Sequence, residues 1–119
     1  MSWTSTRRRL DARGVATVWA VAWIVACSTM GWLGLLGAMI AAAQHHLDGS
    51  ADLISLSAAA RLQRGGDACG TAAELAEDNA VDLESCVVDD ADVVVTVSGD
   101  LALPFGLDGR MTAVARAGP

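Results

Sequence analysis

The sequence predicts a membrane-anchored α+β protein: a long N-terminal helix, then a short helix and a small antiparallel sheet. Three observations predict it. Residues 15–43 contain no charged side chain, a run of 29. Charge divides around that run: residues 1–14 carry four Arg and one Asp, net +3, whereas residues 44–119 carry four Arg and 13 acids, net −9. After Asn79 the apolar residues change from helical spacing to alternation, the pattern of strands.

The chain has 119 residues, 53% of them hydrophobic, with a formal net charge of −6. That length holds one small domain. It divides into a cytoplasmic basic segment (1–14), a transmembrane helix (15–43), an extracytoplasmic amphipathic stalk helix (44–64) and a small α+β head (65–119). The polar part is acidic and offers no basic face, which excludes a nucleic-acid binder. Too little chain remains outside the apolar run to enclose a catalytic site in a soluble core.

A membrane-spanning helix needs about 20 apolar residues. At about 1.5 Å per residue, the run from Val15 to Ala43 extends about 43 Å against a hydrocarbon layer of about 30 Å, so the helix tilts or protrudes. Arg7, Arg8, Arg9 and Arg13 precede it and keep that end inside, which places the head outside the cell membrane. Trp19 and Trp23 suit the inner interface. Cleavage after Ala43 is an alternative, but the run exceeds the core of a secretory signal. Within it, Cys27, Gly31, Gly34, Ala38 and Ala41 are spaced by fours and threes and form one small-residue stripe, with Trp32, Leu36 and Ile40 on the other side. Small residues let helix backbones approach closely in lipid. Ile24-Val25-Ala26-Cys27 also fits a loose lipoprotein pattern, which makes acylation at Cys27 a second alternative; the apolar stretch after it argues against a polar tether.

Beyond Gln44, Leu47, Ala51, Ile54, Ala58 and Leu62 recur at helical spacing, so the helix continues as the stalk to about residue 63. Gly65-Gly66 ends it. Asp67 caps a short helix over residues 68–78, with Ala72, Leu75 and Ala76 inward and Glu74 and Glu77 in solvent. Leu83 to Val88 reads as a strand, Asp89-Asp90-Ala91 as a turn and Val93 to Ser98 as its partner. Residues 99–109, with Pro104, read as a loop or a frayed edge, and a third strand begins at Met111. An outside location permits disulfides, and a head this small needs a staple; Cys69 and Cys86 are the natural pair, two free thiols the alternative.

No group of residues suggests catalysis. His45 and His46 are adjacent, so on a helix they diverge by about 100° and chelate one ion poorly. Asp89, Asp90 and Asp92 lack the spacing and glycine of a calcium loop. Gly65-Gly66-Asp67-Ala68-Cys69-Gly70 follows a helix where a phosphate cradle would follow a strand. No cofactor, metal or small-molecule substrate is expected.

Arg13-Gly14-Val15-Ala16-Thr17-Val18, the apolar helix, Ala51-Asp52-Leu53 and Ala58-Ala59-Ala60 together resemble the N-terminal region of TadE/TadG-like proteins of Tad (Flp) pilus and secretion systems. Cys69, Asn79, Cys86, Val93-Val94-Val95-Thr96-Val97 and Ala115-Arg116-Ala117-Gly118-Pro119 are similar to a short TadE-like family of high-GC bacteria. The resemblance covers nearly the whole chain from Arg13. It implies a pilin-like membrane component without catalytic activity, whose partners are other pilin-like or TadE/TadG-like proteins and the Tad assembly machinery. It also implies processing between Gly14 and Val15 by a prepilin peptidase. Pilins of this class carry Glu at the fifth position after the processing Gly, where this chain has Trp19; a minor, membrane-retained component fits better than a major pilin. A generic single-pass adaptor with an acidic head has the same composition.

Overall fold

The computed structural model describes residues 3–119, with side chains from residue 12 onward. Of the basic segment, Arg7, Arg8 and Arg9 lie outside the described side chains. The elements are α1 (Trp3–Gln63), α2 (Ala68–Asp78), β1 (Asp82–Asp89), β2 (Asp92–Ala102), a 3-10 turn (Pro104–Gly106) and β3 (Asp108–Ala117). The fold is therefore α+β: a long, largely apolar helix, a short helix and a three-stranded antiparallel sheet in the order β1-β2-β3.

α1 runs unbroken for 61 residues because nothing before Pro104 can interrupt it with a missing N–H. It stops at a Schellman motif. Gly65, at φ +77°, donates its N–H to Leu62 O at 2.9 Å, and Gly66 donates to Arg61 O at 2.9 Å. A Cβ at the first of these positions would be strained. The Asp67 carboxylate then accepts from Gly70 N at 3.1 Å and starts α2.

The chain forms two compact units, residues 1–38 and 39–119. In the first, no described residue is buried. In the second, one apolar core gathers Leu47, Ala51, Ile54, Ala58 and Ala59 of α1, Ala68, Ala72 and Ala76 of α2, and Val93, Val95 and Val97 of β2 with Ala113, Ala115 and Ala117 of β3. The segment read as a stalk thus supplies a wall of the head. The helical spacing of Leu47, Ala51, Ile54 and Ala58 locates the buried face, which belongs to one core with α2 and the sheet. Ser50 and Ser55 are buried beside it and donate to the carbonyls of His46 and Asp52.

The valines of β2 sit opposite the alanines of β3: Val93 faces Ala117, Val95 faces Ala115 and Val97 faces Ala113. The short alanine side chains beside the valines leave room for close packing against that side of the sheet. β1 carries a bulge between Leu83 and Ser85. Without the extra residue, Leu83 and Cys86, three apart, would point to opposite faces; with it both pack against the core. The Cys69–Cys86 disulfide then ties α2 to β1, with a Cα–Cα distance of 5.7 Å.

The sheet is longer than its sequence suggests. Residues 99–109, expected as a loop or a frayed edge, contribute to four further pairs, Gly99 with Met111 through Ala102 with Asp108. Only Leu103 to Leu107 remain as a turn, closed by Leu103 N–H donating to Leu107 O at 2.9 Å. Gly99, Asp100 and Gly109 are poor strand formers alone; the continuing ladder with its ready-made partner overrides that preference.

Candidate functional site

Two surfaces stand out: the uncovered apolar length of α1 and the outer face of the sheet. Among the described residues, α1 is the one helix long and apolar enough to cross a membrane. Its large side chains are exposed: Val18 by 69%, Trp23 by 65%, Met30 by 75% and Leu33 by 69%. Three of its hydroxyls bond to its own backbone, Thr17 to Arg13 O, Ser28 to Ile24 O and Thr29 to Ala26 O, at 2.8–2.9 Å. An apolar surface whose polar groups are satisfied internally is suited to lipid.

The small-residue stripe lies on this helix. Cys27 is a free, exposed thiol, and a Cβ added at Gly31 or Gly34 would meet nothing within 4 Å. Ala38 and Ala41 are exposed as well. Among the described residues, nothing covers the stripe. Gly14 and Val15, the two sides of the processing site implied by the resemblance, sit in continuous helix with Val15 57% exposed. His45 and His46 are exposed on α1. Among the described residues, no three His, Cys, Asp or Glu side chains come together as a metal-binding group.

On the outer face of the sheet, two arginines organise the acids. Arg110 reaches Glu84 at 2.5 Å, Asp100 at 3.0 Å and Asp82 at 3.4 Å. Ser98, only 1% exposed, donates to Glu84 at 2.5 Å and accepts from Arg110 Nη2 at 2.7 Å. At the other end, Arg116 bonds to Asp92 at 2.7 Å and Asp89 at 3.0 Å. Two of the three acids in the Asp89-Asp90-Asp92 turn are therefore arginine partners. Sequence reasoning missed both networks, since their members are 10–28 residues apart; alternating charge in the last strand was the available signal.

The hydroxyl of Ser98, then the guanidinium of Arg110, holds Glu84 below the ordinary carboxylate value of 4.5. The unfolded chain therefore binds this proton more tightly than the folded one. The stabilisation is present above about pH 4.5 and is lost as the pH falls through the lowered value. Acid titration followed by circular dichroism should show the head weakening below that point. Glu84→Gln should flatten the slope, and an unchanged slope would remove Glu84 from the account.

With this geometry established, the chain was compared with known proteins: it matches no protein-family model, no curated protein and no solved structure.

Proposed function

We propose that this protein is a non-catalytic, pilin-like membrane component of a Tad/Flp-type pilus assembly or secretion system. The single observation that carries the reading is α1. Its apolar length is exposed along one part, and its last turns form the core of a disulfide-stapled head. A helix that anchors in the membrane, with a small head outside, is what the TadE/TadG resemblance implies. Val15 to Ala43 spans the cell membrane, Arg7, Arg8, Arg9 and Arg13 hold the N-terminal side in the cytoplasm, and the acidic head lies outside. The stripe from Cys27 to Ala41 meets the helix of another pilin-like protein, because in lipid the drive for association is close packing.

Replacing Gly31 and Gly34 with Leu keeps the helix hydrophobic and holds backbones apart. Membrane insertion should survive, while co-purification of other pilin-like proteins should fall by about an order of magnitude. Equal recovery would sink the packing face. The mature N-terminus separates the readings further: Val15 marks prepilin processing, Met1 or Ser2 a retained component, and acylated Cys27 a lipoprotein. Labelling with a membrane-impermeant thiol reagent after reduction should reach Cys69 and not an introduced Ser2→Cys.

A further inference from the structure

Beyond Ser98 the sheet narrows to a two-stranded arm. β1 begins at Asp82, opposite Ser98, while β2 and β3 continue together for four further pairs, to Ala102 and Asp108. The arm ends in Leu101-Ala102-Leu103-Pro104-Phe105-Gly106-Leu107, seven residues without charge between Asp100 and Asp108. Phe105, the one Phe of the chain, is 90% exposed, and Leu107 is 62% exposed. Phe105 also sits at φ +69° and ψ 23°, a left-handed conformation that is costly for a bulky residue. Strained residues of this kind gather at sites of contact, and an exposed apolar patch marks a place where a protein or a membrane is met.

Two contacts fix the direction in which the arm points. Near the far end of α1, Arg61 lines a cleft with Gly70 and Thr71 of α2. The neighbouring Cys69 is bonded to Cys86, which pairs with Val95 of β2. Nearer the start of the head, Gly99 lies against Leu47: a Cβ on it would come within 3.4 Å of Leu47 Cδ1. From Val95 to Gly99, β2 therefore runs back along α1 toward Ala43, and the arm continues that way. Leu47 stands only about 6 Å beyond Ala43 along the helix. From Gly99 to Ala102 the strand advances about 10 Å, and the turn carries it further. The tip thus reaches the level of residues 39–43, the last of the uncharged run, which belong to the same compact unit as the head.

We propose that the tip from Leu101 to Leu107 enters the outer interface of the lipid bilayer, a second membrane contact beside α1. The inference rests on α1 spanning the membrane. With the span ending near Ala43, a tip at that level meets the outer leaflet, where burying Phe105 and Leu107 removes apolar surface from water. The charged residues stop where the lipid begins: Asp100 and Asp108 close the uncharged stretch, and Asp100 is held by Arg110 at 3.0 Å. A single helix leaves the head free to lean in any direction over the membrane. A second attachment restricts that motion and gives the head one side that faces the bilayer.

The test uses the full chain in phosphatidylcholine vesicles whose acyl chains carry a nitroxide quencher. Leu107→Cys, in a Cys27→Ala background, takes a fluorescent probe at the tip and keeps Phe105. Ala91→Cys in the same background, exposed in the turn at the other end of the sheet, is the control. A probe on the native Cys27 thiol reports the span. Quenching at Leu107→Cys should exceed that at Ala91→Cys by about threefold, because only a probe at the hydrocarbon layer meets the nitroxide. Adding Phe105→Asn, which enters the left-handed region more readily, should cut the tip quenching by about half without lowering the melting temperature. Quenching at Cys27 with none at the tip overturns this inference and leaves the span standing. An unquenched Cys27 probe overturns the span and the inference with it. A tip probe whose emission shifts to the blue without quenching is covered by protein, which overturns the lipid contact. Tip quenching that is indifferent to Phe105→Asn overturns the part given to Phe105.

Discussion

Ile54→Ala is expected to lower the unfolding free energy of the head by about 2–5 kcal/mol, the range for truncating a fully buried aliphatic side chain. Ile54 is 0% exposed, and most of the other core residues are alanines, with Leu47, Val81, Val93, Val95 and Val97 supplying the remaining bulk. Alanines cannot extend into the space that the missing carbons leave, so a cavity persists. Leu53→Ala is the matched control: it removes a similar side chain one residue away, at a position 48% exposed. Thermal unfolding in detergent, followed at the head, should separate the two by many degrees, because a domain of this size shifts by about 4–8 °C per kcal/mol. Similar melting of both variants would mean that α1 does not share the core with the sheet. Membrane insertion should be the same in both, since neither change touches residues 15–43.

Loss of the disulfide is the second large effect. Cys69 and Cys86 are 17 residues apart, and closing a loop of that order restricts the unfolded chain by about 3 kcal/mol in the chain-entropy description. The link also holds α2 against β1 at the bulged edge of the sheet. The Cys69→Ala, Cys86→Ala double variant should therefore show α2 and β1 opening together, as protease cuts between Gly65 and Val88 that the parent chain resists. Cys27→Ala, at an exposed position on α1, should leave both melting and proteolysis unchanged. If the double variant resists protease as well as the parent does, the alanine and valine core holds the head without the staple.

The sequence by itself determined the elements whose signals are local. An uncharged run of 29 residues is a helix because no proline breaks it and its hydroxyls, Thr17, Ser28 and Thr29, bond back to the helix's own carbonyls. Gly65 ends it because only glycine enters the left-handed region at little cost, and Asp67 restarts the chain by capping α2. The alternation of Val93, Val95 and Val97 marked the buried face of β2, and the small-residue stripe was visible from spacing alone. Tertiary structure decided what these pieces meet. Residues 44–64 read as an amphipathic stalk because such a face says that something is buried and not what buries it; the short helix and the sheet that share its core begin only at Ala68 and Asp82. The last four pairs of β2 and β3 exist because an established ladder extends over residues that would not form strands alone. The Arg110 network needed the hairpin, the bulge and the third strand together, since only their register brings Asp82, Glu84, Ser98 and Asp100 to one guanidinium. Local propensity acts over a few residues, whereas a contact between distant ones is set by the register of the whole sheet, and that register is fixed only when the valine face is buried.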